Sequence, residues 1–153
     1  MGFFHLPVFL RYNLFETSSS RLQVGLCCNA IPAGGRGDFV TRRELIDYCL
    51  GYPGAVEDYP FEDENSTVLR HATNRKWFAL IFERDGKCCV NLKCDPMEAD
   101  FLRRVFSSVA PAWHMNKVHW NTIALGGDVS DDQLFDMILA SFDLTKPRRK
   151  KRT

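Results

Sequence analysis

The sequence predicts an α+β domain in the order α-β-β-β-α-β-β-α, a two-layer α/β sandwich in which helices cover one face of an antiparallel sheet. Three observations predict it. Helix-start signals at Thr41, Asp95 and Ser130 each precede an apolar stripe; strand-like runs separate the first two helices; and an Asp85-Gly86 pair joins two of those runs.

The first helix is expected over 41–51, where Thr41-Arg42-Arg43-Glu44 forms a capping box and Leu45, Ile46, Cys49 and Leu50 fall on one stripe. Glu57-Asp58-Tyr59-Pro60-Phe61 follows as an acidic loop, with Tyr59 held extended by the proline after it. Strands are expected over 67–73, 76–83 and 87–94, joined by Asn74-Arg75 and by Asp85-Gly86, whose tolerance of positive φ suits a tight hairpin. On the third strand Val90 and Leu92 point one way and Cys89, Asn91 and Lys93 the other. With helices on one side only, part of the second face is expected to be open, Asn91 and Lys93 on it.

The second helix, over 96–107, has Asp95 as N-cap and Pro96 at its first position, with Met97, Phe101, Leu102, Val105 and Phe106 as its expected core stripe. Two further strands, 112–117 and 119–125, lead through Gly126-Gly127-Asp128 to a last helix over 131–143. Ser130 and Gln133 cap it, Asp131 and Asp132 suit its positive end, and Leu134, Phe135, Ile138, Leu139 and Phe142 line its apolar side.

The composition is that of a globular chain: 153 residues, 45% hydrophobic and 25% charged. A chain of this length buries roughly two thirds of its unfolded surface, so it folds without help from disulfides or metal. The net charge of +1 announces no nucleic-acid or membrane partner, but it is an average over unlike parts. The stretch 41–147 holds 12 basic and 17 acidic residues, while Arg148, Arg149, Lys150, Lys151 and Arg152 form an uninterrupted cationic tail. Such a tail strengthens nucleic-acid binding without specifying a sequence, and equally serves as a solubilising end or a localisation signal.

Residues 1–39 read differently from the rest. Apolar residues are interrupted by Arg11, Glu16 and Arg21 before any spanning length is reached, and no basic region precedes them as a secretory signal requires. Ser18-Ser19-Ser20 and Ala33-Gly34-Gly35-Arg36-Gly37 resemble linker. Two expectations stand: an irregular N-terminal extension, or a misplaced start in which Val40 is a GTG initiation codon and Arg36 an AGG codon within a ribosome-binding sequence. The domain proper is expected over 40–146, with 147–153 as tail.

Six cysteines invite a metal or disulfide reading, but Cys27-Cys28 and Cys88-Cys89 are adjacent pairs and no C-x-x-C occurs. Reduced thiols, a cytoplasmic location and no metal or cofactor are the expectation. His114 and His119, with Cys94, would supply at most three zinc ligands without a matched cysteine pair.

The densest polar stretch is Trp113-His114-Met115-Asn116-Lys117-Val118-His119-Trp120-Asn121. Three uses fit it. The histidines would serve acid–base catalysis, although no nucleophile, carboxylate pair or phosphate loop accompanies them. Lys117 and the histidines would meet phosphates while Asn116 or Asn121 addresses base edges. Or the tryptophans are core and the polar groups satisfy a turn.

Thr41-Arg42-Arg43-Glu44-Leu45-Ile46-Asp47-Tyr48-Cys49-Leu50 with Pro53-Gly54-Ala55, the run from Glu57 to Phe61, Val90-Asn91-Leu92-Lys93-Cys94-Asp95-Pro96, His114-Met115-Asn116-Lys117 with His119-Trp120-Asn121, and Asp131-Asp132-Gln133-Leu134 with Ser141-Phe142-Asp143-Leu144 together resemble the MmcQ/YjbR family over about 41–146. The resemblance implies a small bacterial protein of secretion-chaperone-like or frataxin-like architecture, commonly described as DNA-binding. It places the polar signature on Asp58, Asn91, Lys93, His114, Asn116, Lys117, His119 and Asn121, and it has no counterpart for residues 1–39. Arg75, Lys76, Arg103 and Arg104 are secondary phosphate candidates. The reading is therefore a monomeric, non-catalytic protein that binds DNA through the open sheet face and the loop over 114–121. A module for a protein or small anionic ligand is the alternative, and no membrane partner is expected.

Overall fold

The structure is a computed structural model that describes residues 40–63 and 65–147; the expectations for 1–39 and for the tail beyond Pro147 fall outside the described residues. The helix starts follow their local chemistry. In α1 (Arg42–Leu50) the Thr41 hydroxyl accepts from the Glu44 amide and the Glu44 carboxylate accepts from the Thr41 amide at 2.8 Å. In α2 (Pro96–Val105) the Asp95 carboxylate accepts from the Met97 amide, and in α3 (Asp131–Thr145) Ser130 and Gln133 cap each other.

The strands are β1 (Ala55–Asp58), β2 (Thr67–His71), β3 (Trp77–Arg84), β4 (Lys87–Lys93), β5 (Val109–Pro111) and β6 (Trp120–Ala124), all antiparallel, in the spatial order β1-β2-β3-β4-β6-β5. The α+β class and the single antiparallel sheet agree with the sequence reading. Asp85 and Gly86 both take positive φ, 53° and 72°, which is the geometry that a two-residue hairpin turn requires.

Two elements differ. β1 is an additional strand where a loop was expected: its four residues carry two acids and show no alternation, and they become a strand only by lying along β2 as an edge. The strand expected over 112–117 is instead a loop, since Val109–Pro111 takes the pairing beside β6. His114 has φ 56° and the Asn116 side chain accepts from the Val118 amide, so the chain turns here rather than extending.

Register assigns the faces, because directly opposed residues point the same way. Leu69, Ala79, Leu92 and Asn121 occupy one cross-strand row, and Leu92, Asn121 and Ile123 meet Leu102 of α2 and Met137 of α3. This is the helix side. Val68, Leu80, Asn91 and Thr122 form the row on the other side.

The sheet is not regular at its centre. Leu69 opposes Ala79 but Arg70 opposes Trp77, so Phe78 is an extra residue in β3. The bulge turns Phe78 toward the helices, where its ring meets Phe142 edge-on at 5.1 Å and His71 at 5.5 Å, while Trp77 stays on the opposite face with Arg70. Beyond the bulge the ladder between β3 and β4 is completed by a helix residue: the buried Ser141 hydroxyl of α3 donates to the Phe78 carbonyl and accepts from the Lys93 amide at 2.8 Å. The same helix reaches β2 and the turn after it. His71 Nε2 lies 3.2 Å from the Phe142 carbonyl and 2.9 Å from the Thr145 hydroxyl, and the Asn74 amide donates to the Thr145 carbonyl.

The core stripe expected on α2 is only partly right. Leu102 and Phe106 are buried, with Ala99, but Met97, Phe101 and Val105 lie on the outer side of the helix. Apolar spacing alone does not separate two stripes on one short helix.

Replacing Ser141 by Ala leaves a buried carbonyl and a buried amide unpaired, each costing about 1–3 kcal/mol. Urea denaturation of Ser141→Ala is expected to show a loss of roughly 2–6 kcal/mol. Burial holds the His71 imidazole below its ordinary value. Its contribution to stability is then complete above pH ~6.5 and declines as the pH falls through the lower folded value. Chemical denaturation between pH 7 and pH 5 is expected to show this decline in the wild type and a flatter dependence in His71→Gln.

Candidate functional site

All three tryptophans of the chain stand on the face of the sheet away from the helices. Trp77 opposes Arg70 and Trp120 opposes Lys93 across strands. Trp113, in the loop between β5 and β6, is folded back over the sheet by the polar pair at its middle. The Asn91 amide donates to the Trp113 carbonyl at 3.3 Å, the Thr122 hydroxyl donates to the Asn91 side-chain carbonyl, and the Trp113 amide donates to the Thr122 hydroxyl at 3.3 Å. Arg84, at the far end of β3, lays its guanidinium over the indole with 4.1 Å to the ring centre. Half of the Trp113 surface remains exposed, with the His114 ring edge-on to it at 4.9 Å.

Asn91 was expected on an open part of this face. It is on the predicted face but buried at 1% exposure, because the Trp113 loop covers it. Its amide positions the loop and does not meet a partner directly. Lys93 on the same side is partly exposed. His114, Asn116 and Lys117 are exposed in the loop and His119 partly so, but the Asn116 oxygens are engaged by the Val118 and His119 amides.

Asn121 belongs to the other side of the sheet. Register places it opposite Leu92, one residue out of phase with Asn91, so it points at the helices, where its amide donates to the Ala99 carbonyl at 3.2 Å. Its oxygen accepts from Arg103 Nε at 2.7 Å, and the Arg103 fork also donates to the Trp120 carbonyl at 3.2 Å and to the Lys117 carbonyl. Arg103, read from sequence as a phosphate contact, is thus a clamp that ties α2 to the loop. Arg104 pairs with Asp100 on the outer side of α2, away from the tryptophan face.

A second charged corner lies at the β1 edge. Asp58 pairs with Arg70 and, at 3.4 Å, with Arg75, and its second oxygen accepts from the Tyr59 amide at 2.9 Å. Arg70 is buried, and Phe61 packs edge-on against Trp77 at 5.9 Å beside it. Arg70 was missed in the sequence because a lone arginine in an apolar run carries no motif; its register opposite Trp77 is what gives it a place on this face. Lys76 is exposed in the turn before β3.

Among the described residues the buried thiols are poor nucleophiles. Burial pushes Cys49 and Cys94 up to about 12 and Cys88 up to about 11, so they stay protonated near neutrality. Among the described residues no group of three His, Cys, Asp or Glu side chains converges as a metal site, and no helix is long and apolar enough to cross a membrane.

Comparison with known proteins adds relatives in sequence and solved structures of similar fold. The chain is 35% identical over 103 residues to an uncharacterised Escherichia coli protein, YjbR, spanning 67% of the chain and 85% of that protein. It is 34% identical over 118 residues to the uncharacterised Bacillus subtilis protein YyaQ, covering 99% of it. A crystal structure of a Pseudomonas syringae protein superposes with a TM-score of 0.63 at 31% identity, over 70% of this chain and all of that one. A Deinococcus radiodurans crystal structure does so with 0.61 at 31% identity, over 68% of this chain and 77% of the other. Residues 50–144, from the end of α1 almost to the end of α3, match the sequence model of the YjbR family, and the chain belongs to that family.

Proposed function

We propose that this domain is a DNA-binding protein that acts by binding, without a catalytic step, and that it holds DNA on the tryptophan face of its sheet. The observation that carries the reading is the exposed Trp113 indole, fixed from below by Asn91 and Thr122 and capped by Arg84. A half-exposed aromatic ring held rigidly beside cations is what an unpaired base stacks on, and such stacking is worth about 1–3 kcal/mol per base. Lys93, His114, Lys117, His119 and Arg84 supply positive or hydrogen-bonding groups for the phosphates around it, with Arg75 and Lys76 further along. The cationic tail from Arg148 to Arg152 adds affinity without selectivity.

This geometry favours single strands. The described face presents rings and forks, while its helices lie on the opposite side of the sheet and so offer no groove-entering element there. The acidic balance of the body, 12 basic against 17 acidic residues over 41–147, makes the location of the cations decisive rather than their number.

A second reading, a module for a small anionic ligand, is favoured by the β1 corner, where two guanidinium groups share the Asp58 carboxylate beside Trp77. Inorganic phosphate that raises the melting temperature of the wild type but not of Arg75→Ala would support it.

Fluorescence titrations with single-stranded oligonucleotides are expected to show that Trp113→Ala weakens binding about thirtyfold, the middle of the stacking range. Lys117→Ala is expected to reduce the slope of log affinity against log salt by about 0.7, the share of one phosphate contact on a single strand. Binding that disappears when residues 147–153 are removed, with Lys117→Ala and Trp113→Ala indistinguishable from wild type, would assign the effect to the tail and overturn the reading.

A further inference from the structure

The loop between β5 and β6 is held at two separate places, from the two sides of the sheet. Its first arm, at Trp113, is fixed on the tryptophan face by Asn91 and Thr122. Its second arm, at Lys117, is fixed from the helix side by one residue of α2. Arg103 Nε donates to the Asn121 oxygen at 2.7 Å, and Nη2 donates to the Trp120 carbonyl at 3.2 Å and to the Lys117 carbonyl. Asn121 is itself locked by its bond to the Ala99 carbonyl, so the fork stands on a fixed base. The turn at His114, with φ 56°, lies between the arms, and they meet at the root of the loop, where the Ala112 amide donates to the Trp120 carbonyl at 3.1 Å.

We propose that Arg103 is the positioning residue of the phosphate-binding arm: it sets where Lys117 stands and leaves the Trp113 stacking platform to its own anchor. This rests on the reading of the tryptophan face as a single-strand binder. Lys117 is exposed, so the reach of its ammonium group is decided by where the backbone beneath it is held. Arg103 holds that backbone directly, at the Lys117 carbonyl. The three acceptors of the fork are a side-chain amide oxygen and two carbonyls, none of which neutralises the guanidinium, so its charge also adds to the field behind Lys117. Lysine separates the two effects. It keeps the positive charge but has no planar fork with which to span acceptors on residues 117, 120 and 121.

Salt titrations with oligothymidine of about a dozen nucleotides, within the site sizes of single-strand binders, test the proposal. Arg103→Lys is expected to lower the slope of log affinity against log salt by about 0.7, as much as Lys117→Ala does. The double variant Arg103→Lys/Lys117→Ala is expected to show no further fall, because both changes remove the same contact. Trp113→Ala, by contrast, is expected to weaken binding about thirtyfold in the wild type and by the same factor in the Arg103→Lys background. In the free protein, amide hydrogen exchange is expected to quicken at Val118 and His119 in Arg103→Lys and to stay unchanged at Trp113, whose amide Thr122 holds. Arg103→Gln, which can satisfy one of the three acceptors, serves in the same comparisons if Arg103→Lys fails to fold. Three results would overturn the positioning role while leaving single-strand binding in place: slopes that add in the double variant, a Trp113→Ala effect that shrinks in the Arg103→Lys background as general loosening of the loop would make it, or exchange at Val118 and His119 that does not change. A wild type that binds no oligonucleotide overturns the single-strand reading, and this role with it.

Discussion

The hydroxyl of Ser141 is the smallest group in the domain on which the most depends. At the bulge in β3 the ladder between the two central strands loses its regular partners, and a helix side chain takes over, accepting from β4 and donating to β3. An unpaired amide and carbonyl in that dry position would cost several kcal/mol, so the bulge exists only where α3 can reach it. What the bulge achieves is the sorting of aromatic rings. Two consecutive residues of β3, Trp77 and Phe78, are sent to opposite sides without breaking the apolar row of Ala79 and Ile81 beneath α3. Phe78 then joins Phe142, Tyr52 and His71 in the core, and Trp77 is left for the opposite face.

The polar residues follow the same logic of phase. Asn91 and Asn121 sit on neighbouring strands and look equivalent in the sequence, yet a register that sets Asn91 against Thr122 and Leu92 against Asn121 separates them by the thickness of the sheet. Each is buried and each holds a loop or helix in place: Asn91 the Trp113 segment, Asn121 the clamp formed by Arg103. Buried amides of this kind are structural commitments, because each oxygen and each amide hydrogen removed from water needs a partner. The exposed groups they position, Trp113 and Lys117 above all, are the ones available to something outside the chain.

Much of the fold is legible in the sequence because its signals are local. Capping boxes at Thr41 and Ser130, the Asp95-Pro96 start and the Asp85-Gly86 turn act over two to four residues, and the structure reproduces each. What sequence reasoning misses is set by pairing across distance. β1 has no alternation of its own and becomes a strand through its neighbour; the 112–117 segment has strand-like residues but loses its pairing partner to Val109–Pro111; and the faces of Asn91 and Asn121 follow from register. The α2 stripe shows a further limit. A 3.6-residue period identifies apolar residues on a helix, but Met97, Phe101 and Val105 share that period with the residues that enter the core, and only packing divides them.

The reach of α3 also fixes when the molecule can become itself during synthesis. The helix that completes the central ladder and covers His71 and Asn74 ends at Thr145, more than seventy residues after the strand and turn it secures. As the chain leaves the ribosome, the four strands from Ala55 to Lys93 emerge well before α3, and the bulge waits for a hydroxyl not yet made. The β3–β4 ladder is therefore complete only once α3 has been made. A nascent chain stalled before Ser141 exposes its central strands rather than presenting a stable half-domain.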